Sequence, residues 1–227
     1  AGLNTSDLED AAATAELAIE HGYQFAMHAI GDRGNRETLD IFQWAFTNNP
    51  EEEDLRWRVE HAQHLHPDDI PRFGNMQVIA SMQGIHATSD GPWIADRLGH
   101  ERVDWGAYVW RDLMDAGAII ANGTDAPVED VDPVASYYSS VSRMMSNGEV
   151  LTPRQKMSRM EALKSYTINN AYAGFEEDIK GSLEVGKLAD ITVLDRDILT
   201  IPEEDIPNIA ISYTIVGGEI MYSGGSN

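Results

Sequence analysis

Apolar positions along this chain change period several times, and each change marks an element. Over residues 7–21, "DLEDAAATAELAIEH", they recur every three or four positions, which predicts a helix capped by Thr5 or Ser6, with Gly22 just past its end. "YQFAMHAI" (23–30) is a compact apolar strand. "NRETLDIFQWAFTNN" (35–49) returns to helical spacing through Leu39, Phe42, Trp44 and Phe46 and is closed by Asn-Asn-Pro. "LRWRVEHA" (55–62) and "MQVIASMQ" (76–83) are further strands, separated by a short helix begun at Pro67-Asp68-Asp69. The stretch 84–106, rich in glycine and containing Pro92, reads as a long loop, and its length suggests a functional one. "AYVWRDLMDAG" is a helix, "AIIANGTD" (118–125) a strand, and helices follow near 133–146 and 158–172, the latter opened by a Ser158-x-x-Glu161 capping box.

Strand and helix thus alternate four times, the pattern of an α/β fold with a parallel sheet covered by helices. From about residue 174 the texture changes to short β runs with tight glycine turns and no long helix between them. The expected division is a catalytic unit over 1–173 and a small β unit over 174–227.

Composition narrows the partners. Sixteen Lys and Arg stand against 38 Asp and Glu, a formal net charge of -22, which repels nucleic acid and anionic lipid. No apolar run approaches the roughly 20 residues that span a bilayer. With no cysteine, disulfides, thiolate metal sites and cysteine nucleophiles are excluded. The opening residues carry no signal-peptide pattern, and a reducing, cytoplasmic setting is expected.

Reactive residues in parallel α/β folds collect where the strands end at their carboxyl side. There stand His28 on the first strand, Glu60-His61 on the second, Gln83 and His86 after the third, and Asp125 in "NGTDAP" after the fourth. Two imidazoles and a carboxylate at equivalent ends of three strands are the usual ligands of a catalytic divalent ion in a cysteine-free protein. Taken singly, each has a structural alternative. His28 serves as a hydrogen-bonded core histidine, His61 belongs to a polar loop with Gln63, His64 and His66, and Asp125 caps a helix or forms an Asx turn. Asp32 reads as a helix cap and Glu60, pointing away from His61 on a strand, as a supporting residue.

"HAIGDRGN", "RVEHAQHL", "GTDAPVEDVDP", "EALKSYTINNAYA" and "KGSLEVGKLADITVLDRD" resemble the amidohydrolase superfamily, and more narrowly the family 3 group that includes N-substituted formamide deformylase-like enzymes. That resemblance implies a (β/α)8 metal-dependent hydrolase barrel with a small β-sandwich domain, of which this chain is the C-terminal half: strands five to eight, then part of the sandwich. It implies metal ligation by His28, His61 and Asp125, with Asp125 also the catalytic general base and acid. The cofactor is a divalent metal, zinc, as one ion or two, and the reaction is hydrolysis of an amide-type C–N bond of a small-molecule substrate. His86 is the expected catalytic contact to the substrate carbonyl, and Trp93 a substrate-binding residue. The His-x-His pair and the bridging Lys or Glu of the family precede His28 and have no counterpart here; "HLH" at 64–66 lies after the second strand. The missing half is expected from elsewhere; without it the chain is expected to fold poorly or to form a homodimer, and to be inactive. A catalytically silent half-barrel and an ester or other hydrolase on the same barrel are the alternatives.

Overall fold

The computed structural model describes residues 3–224. Helix α1 (Leu8–Glu20) is capped by Asp7 rather than by Thr5 or Ser6; the Asp7 carboxylate accepts from the Glu9 amide at 2.8 Å. A carboxylate in that position both caps the helix and complements its dipole, which a hydroxyl does not. Strand β1 (Ala26–Ala29) leads to α2 (Asp32–Asn48), β2 (Arg58–His61) to α3 (Ile70–Asn75), and β3 (Ile79–Gln83) to α4 (Gly84–Leu98) and α5 (His100–Gly106). Then come α6 (Trp110–Asp115), β4 (Ile120–Gly123), α7 (Pro133–Ser142), α8 (Arg159–Ser165) and α9 (Ile168–Ala173).

The first four strands form one parallel sheet in the order β1-β2-β3-β4. Sequence neighbours are therefore sheet neighbours, and every strand ends on the same edge. Trp57, Phe42, Leu39, Phe73, Ile79, Met82, Trp110 and Leu113 are fully buried around this sheet. Phe42 packs on Trp57 with ring centroids 5.0 Å apart, so α2 is fastened across the start of β2.

The stretch 84–106 is not a loop. It folds into α4 and α5, and His86 is the third residue of α4 rather than the end of a strand. The glycines read as breakers are sites of close approach. A Cβ on Gly84 would stand 2.2 Å from Ser140 Oγ, and one on Gly91 2.3 Å from Met145 Sδ, so α4 lies too close to α7 and its following turn for any side chain there. The helix foreseen over 158–172 is also broken in two, at Tyr166 and Thr167, though its capping box forms as expected between Ser158 and Glu161.

After α9, strands β5 (Ile191–Leu194), β6 (Ile211–Val216) and β7 (Glu219–Ser223) form a separate antiparallel sheet, β6 and β7 turning through Gly217 and Gly218, both at positive φ. A two-residue turn with both residues left-handed matches the twist of a hairpin, and glycine adopts it without steric cost. Ile198, Ile206 and Ile209 from this part of the chain belong to the same core as the parallel sheet. Arg56 fastens the junction: its guanidinium lies 3.9 Å from the Tyr172 ring and 4.4 Å from the Phe175 ring, and pairs with Asp54 and Glu177.

Two stability outcomes follow from this packing. A Cβ on Gly74 would stand 1.8 Å from the backbone oxygen of Ala116, so Gly74→Ala forces α3 away from the end of α6. A cost of about 1–3 kcal/mol is expected in urea unfolding. The Arg111 guanidinium joins α6 to α8 by gripping Glu161 and holds that carboxyl down to about 2. Its stabilisation is complete above the unfolded-state value of 4.5 and is lost as the pH falls toward 2. Glu161→Gln should flatten the acid limb of stability against pH, measured by urea midpoints across that window.

Candidate metal centre

The parallel register aligns β1 and β2 so that His28 faces Glu60 and Ala29 faces His61. Strict alternation would put His28 and His61 on opposite faces of the sheet. The backbone breaks the alternation: His61 has φ 79° and Ala62 φ 45°, both left-handed. The His28 and His61 rings end up with centroids 4.5 Å apart, edge to face. Glu60, in register with His28, pairs with Arg58 at 2.5 Å, a supporting role. Asp125, two residues beyond β4, is likewise left-handed at φ 59°. It caps no helix, because Asp132 caps α7 by accepting from Val134 and Ala135 amides at 2.9 and 3.1 Å.

Ligand atoms of His61, His86 and Asp125 all lie within 4.8 Å of one another. His86 Nε2 is 3.9 Å from Asp125 Oδ2, and the His61 and His86 rings are near-parallel with centroids 6.2 Å apart. His28 stands beside this triple, in contact with His61. Gln83, the last residue of β3, accepts from His61 Nδ1 at 2.9 Å, which fixes the tautomer and leaves Nε2 with its lone pair. His86 is only 7% exposed, yet neither ring nitrogen has a hydrogen-bond partner among the described residues. Buried polar groups are normally satisfied, so two bare nitrogens next to a carboxylate point to a ligand.

Electrostatics favour the ligating state. Burial first, and the neighbouring His61 second, lower the pKa of His28, and burial lowers that of His86. Both imidazoles therefore stay neutral to more acidic pH, the form that binds a metal. The donor set of imidazole and carboxylate fits a divalent cation of the zinc type. Two atoms bonded to one tetrahedral zinc at about 2.1 Å would stand about 3.4 Å apart, so these side chains would have to close in to hold it.

The other polar residues singled out along the chain have different partners. Asp32 does not cap α2: Gly31 is the cap residue, and Asp32 takes the Arg33 amide at 2.9 Å and Arg102 at 2.8 Å. Arg33 pairs with Glu37 at 2.7 Å. His64 is half-buried against Tyr108 at a centroid distance of 5.7 Å, and desolvation, then Arg102, lower it to about 4. His66 sits against Trp105. Trp93 lies about two turns beyond His86 on α4 and is 47% exposed. What the sequence concealed was His86's closeness to the ligand atoms of His61 and Asp125, because the helix that carries it reads as a loop.

The family model described as the amidohydrolase family matches residues 1–222. The chain is 35% identical over 222 residues to Protein LONG AFTER FAR-RED 3 of Arabidopsis thaliana, covering 97% of this chain and 38% of that protein. It is 27% identical to the N-substituted formamide deformylase of Arthrobacter pascens, covering 90% of this chain and 38% of that enzyme. The crystal structure of an uncharacterized metal-dependent hydrolase from Pyrococcus horikoshii superposes with a TM-score of 0.77 at 34% identity, covering 89% of this chain and 40% of that one. The chain thus spans about two-fifths of the length of these proteins. Among the described residues, no helix is long and apolar enough to cross a membrane.

An ion that binds the folded site and not the unfolded chain raises stability by mass action, by about 2.7 kcal/mol at a hundredfold excess over its dissociation constant. Zinc should therefore raise the melting temperature of this chain, and a chelator should reverse the rise. His61→Ala or Asp125→Ala should abolish the shift, as read by differential scanning fluorimetry.

Proposed function

The chain belongs to the amidohydrolase family, and from that premise we propose that it is the C-terminal part of a metal-dependent hydrolase cleaving an amide-type C–N bond in a small molecule. In this reading β1 to β4 are the second half of a (β/α)8 barrel, residues 1–173 form the catalytic unit, and residues 174–227 contribute to a β-sandwich. The observation that carries it is the buried His86, with two unpartnered ring nitrogens, beside the side chains of His61 and Asp125.

His28, His61 and Asp125 hold the ion, zinc, as one ion or the second of two. When bound, such an ion lowers the pKa of a coordinated water to about 7 and polarises a carbonyl. Asp125 takes a proton from the attacking water and returns it to the departing amine nitrogen, acting first as base and then as acid. Its position is suited to that transfer: the carboxylate is 35% exposed, so it reaches the open side of the site as well as His86. His86 faces the substrate's carbonyl oxygen and donates to it as negative charge develops there. Trp93 lies farther out along α4 as a wall for the substrate. Gln83 keeps the His61 ring in the orientation that leaves Nε2 free.

The remaining barrel strands come from chain outside these 227 residues or from a second copy, and the earlier metal ligands, which this sequence does not contain, from the former. The net charge of -22 accords with a small-molecule substrate and opposes a nucleic-acid partner. The absence of cysteine accords with a cytoplasmic setting.

Asp125→Asn keeps the shape and removes the base, so hydrolysis of N-formyl and N-acyl amines by the metal-loaded protein, with the other half of the barrel supplied, should fall about 10²- to 10⁴-fold; this chain alone should show no turnover. His86→Ala should lose turnover and weaken metal binding, and His28→Ala should lower metal uptake. Metal content by mass spectrometry and amine release measure the two effects. A well-folded protein that takes up no metal would support a silent half-barrel instead; cleavage confined to esters would support the other hydrolase reading.

A further inference from the structure

Tyr108 stands where three parts of the site's surroundings meet. It lies between α5 and α6, outside both the candidate ligands and the substrate contacts, and it is completely buried. Its hydroxyl donates to Asp90 Oδ2 at 2.5 Å and accepts from Gln63 Nε2 at 2.6 Å. Its amide donates to the Gln63 carbonyl at 2.7 Å, so Gln63 is gripped through both main chain and side chain. Gln63 is two residues after His61, and Asp90 is one helical turn after His86 on α4. One phenol therefore bridges the segment that carries His61 to the helix that carries His86.

The bridge is itself held from behind. Arg143, wholly buried and lacking a carboxylate partner among the described residues, donates to the Tyr108 carbonyl at 3.0 Å. It also donates to Leu151 O and Thr152 Oγ1, each at 2.6 Å, and lies 4.5 Å from the Trp110 ring. Tyr108 has φ 51°, a left-handed conformation that persists only where surrounding contacts over-determine it. Burial and the charge of Asp90 keep the phenol protonated, so it remains a donor. A strained, wholly buried tyrosine whose hydroxyl, amide and carbonyl are all hydrogen-bonded is more than space-filling requires.

We infer that Tyr108 is a positioning residue, which sets the distance between His61 and His86 by tying Gln63 to Asp90 through its hydroxyl. The inference rests on the metal-binding reading proposed above and adds to it a residue that touches neither ion nor substrate. A phenylalanine keeps the ring against His64 and Trp110 but releases both Gln63 Nε2 and Asp90.

The test is cobalt(II) binding to the full chain, followed by its visible absorption and by the dissociation constant, at a temperature well below unfolding. Tyr108→Phe should weaken cobalt binding about 10- to 100-fold, the range for residues that orient metal ligands, and should alter the absorption band. Asp90→Asn, which still offers an oxygen to the hydroxyl, should keep most of the affinity; Asp90→Ala, which does not, should behave as Tyr108→Phe does. Should Tyr108→Phe fail to fold, the Asp90 pair decides alone. Wild-type affinity and an unchanged band in both Tyr108→Phe and Asp90→Ala, at whatever melting temperature, overturn the positioning role. A wild-type chain that binds no cobalt overturns the metal-binding reading and this inference with it, and so is distinguishable from loss confined to the variants.

Discussion

Parallel strand pairing is the constraint on which the rest of this molecule depends. Because β1 to β4 run in one direction and each is hydrogen-bonded to its chain neighbour, four separate segments end along a single edge. His28, His61 and Asp125, spread over nearly 100 residues of sequence, are thereby delivered to one place with no contact between them needed to fold the sheet. The ladder does the assembling, and the apolar layers on either side of it supply the free energy. Chemistry can then vary at the strand ends while the sheet stays as it is.

Delivery to an edge is not yet a site. The last residue of β2 and the second residue past β4 both leave ordinary β geometry for the left-handed region, and these are two of the side chains that meet. Such backbone is unfavourable by about 1–3 kcal/mol per residue and survives only under the compulsion of neighbouring structure. Here the compulsion is visible. Ala62 is tied to the Ala29 carbonyl at 3.1 Å, Tyr108 to Gln63 at 2.7 Å, and Val128 to the Asp125 carbonyl at 2.7 Å. Left-handed backbone also occurs elsewhere in the described residues, at Asp54, Arg56 and Gln77 among others, but at His61 and Asp125 it turns the side chains that meet.

The helices around the edge contribute by how closely they approach. Gly84 and Gly91 let α4 settle against α7 and the turn after it, and this seats His86 at the mouth with its ring buried. A polar ring so enclosed without a partner is costly in a finished structure, at about 1–3 kcal/mol for an unsatisfied buried group. That cost is recovered when something binds.

The sequence by itself determined the order of elements, the parallel sheet, the capping box at Ser158 and Glu161, and the strand-end location of His28, His61 and Asp125. All of these follow from local periodicity, from turn chemistry, or from the rule that reactive groups collect at carboxyl ends of strands. It also carried the family, since motifs such as "GTDAPVEDVDP" are contiguous. Only the tertiary structure decided that residues 84–106 are helical, that Asp7 and not Thr5 or Ser6 caps α1, and that His86 comes within 3.9 Å of Asp125. The physical reason is the same for the helical stretch and for His86. A glycine demanded by a neighbouring helix looks identical, in one dimension, to a glycine demanded by a turn, and only the partner's distance tells them apart.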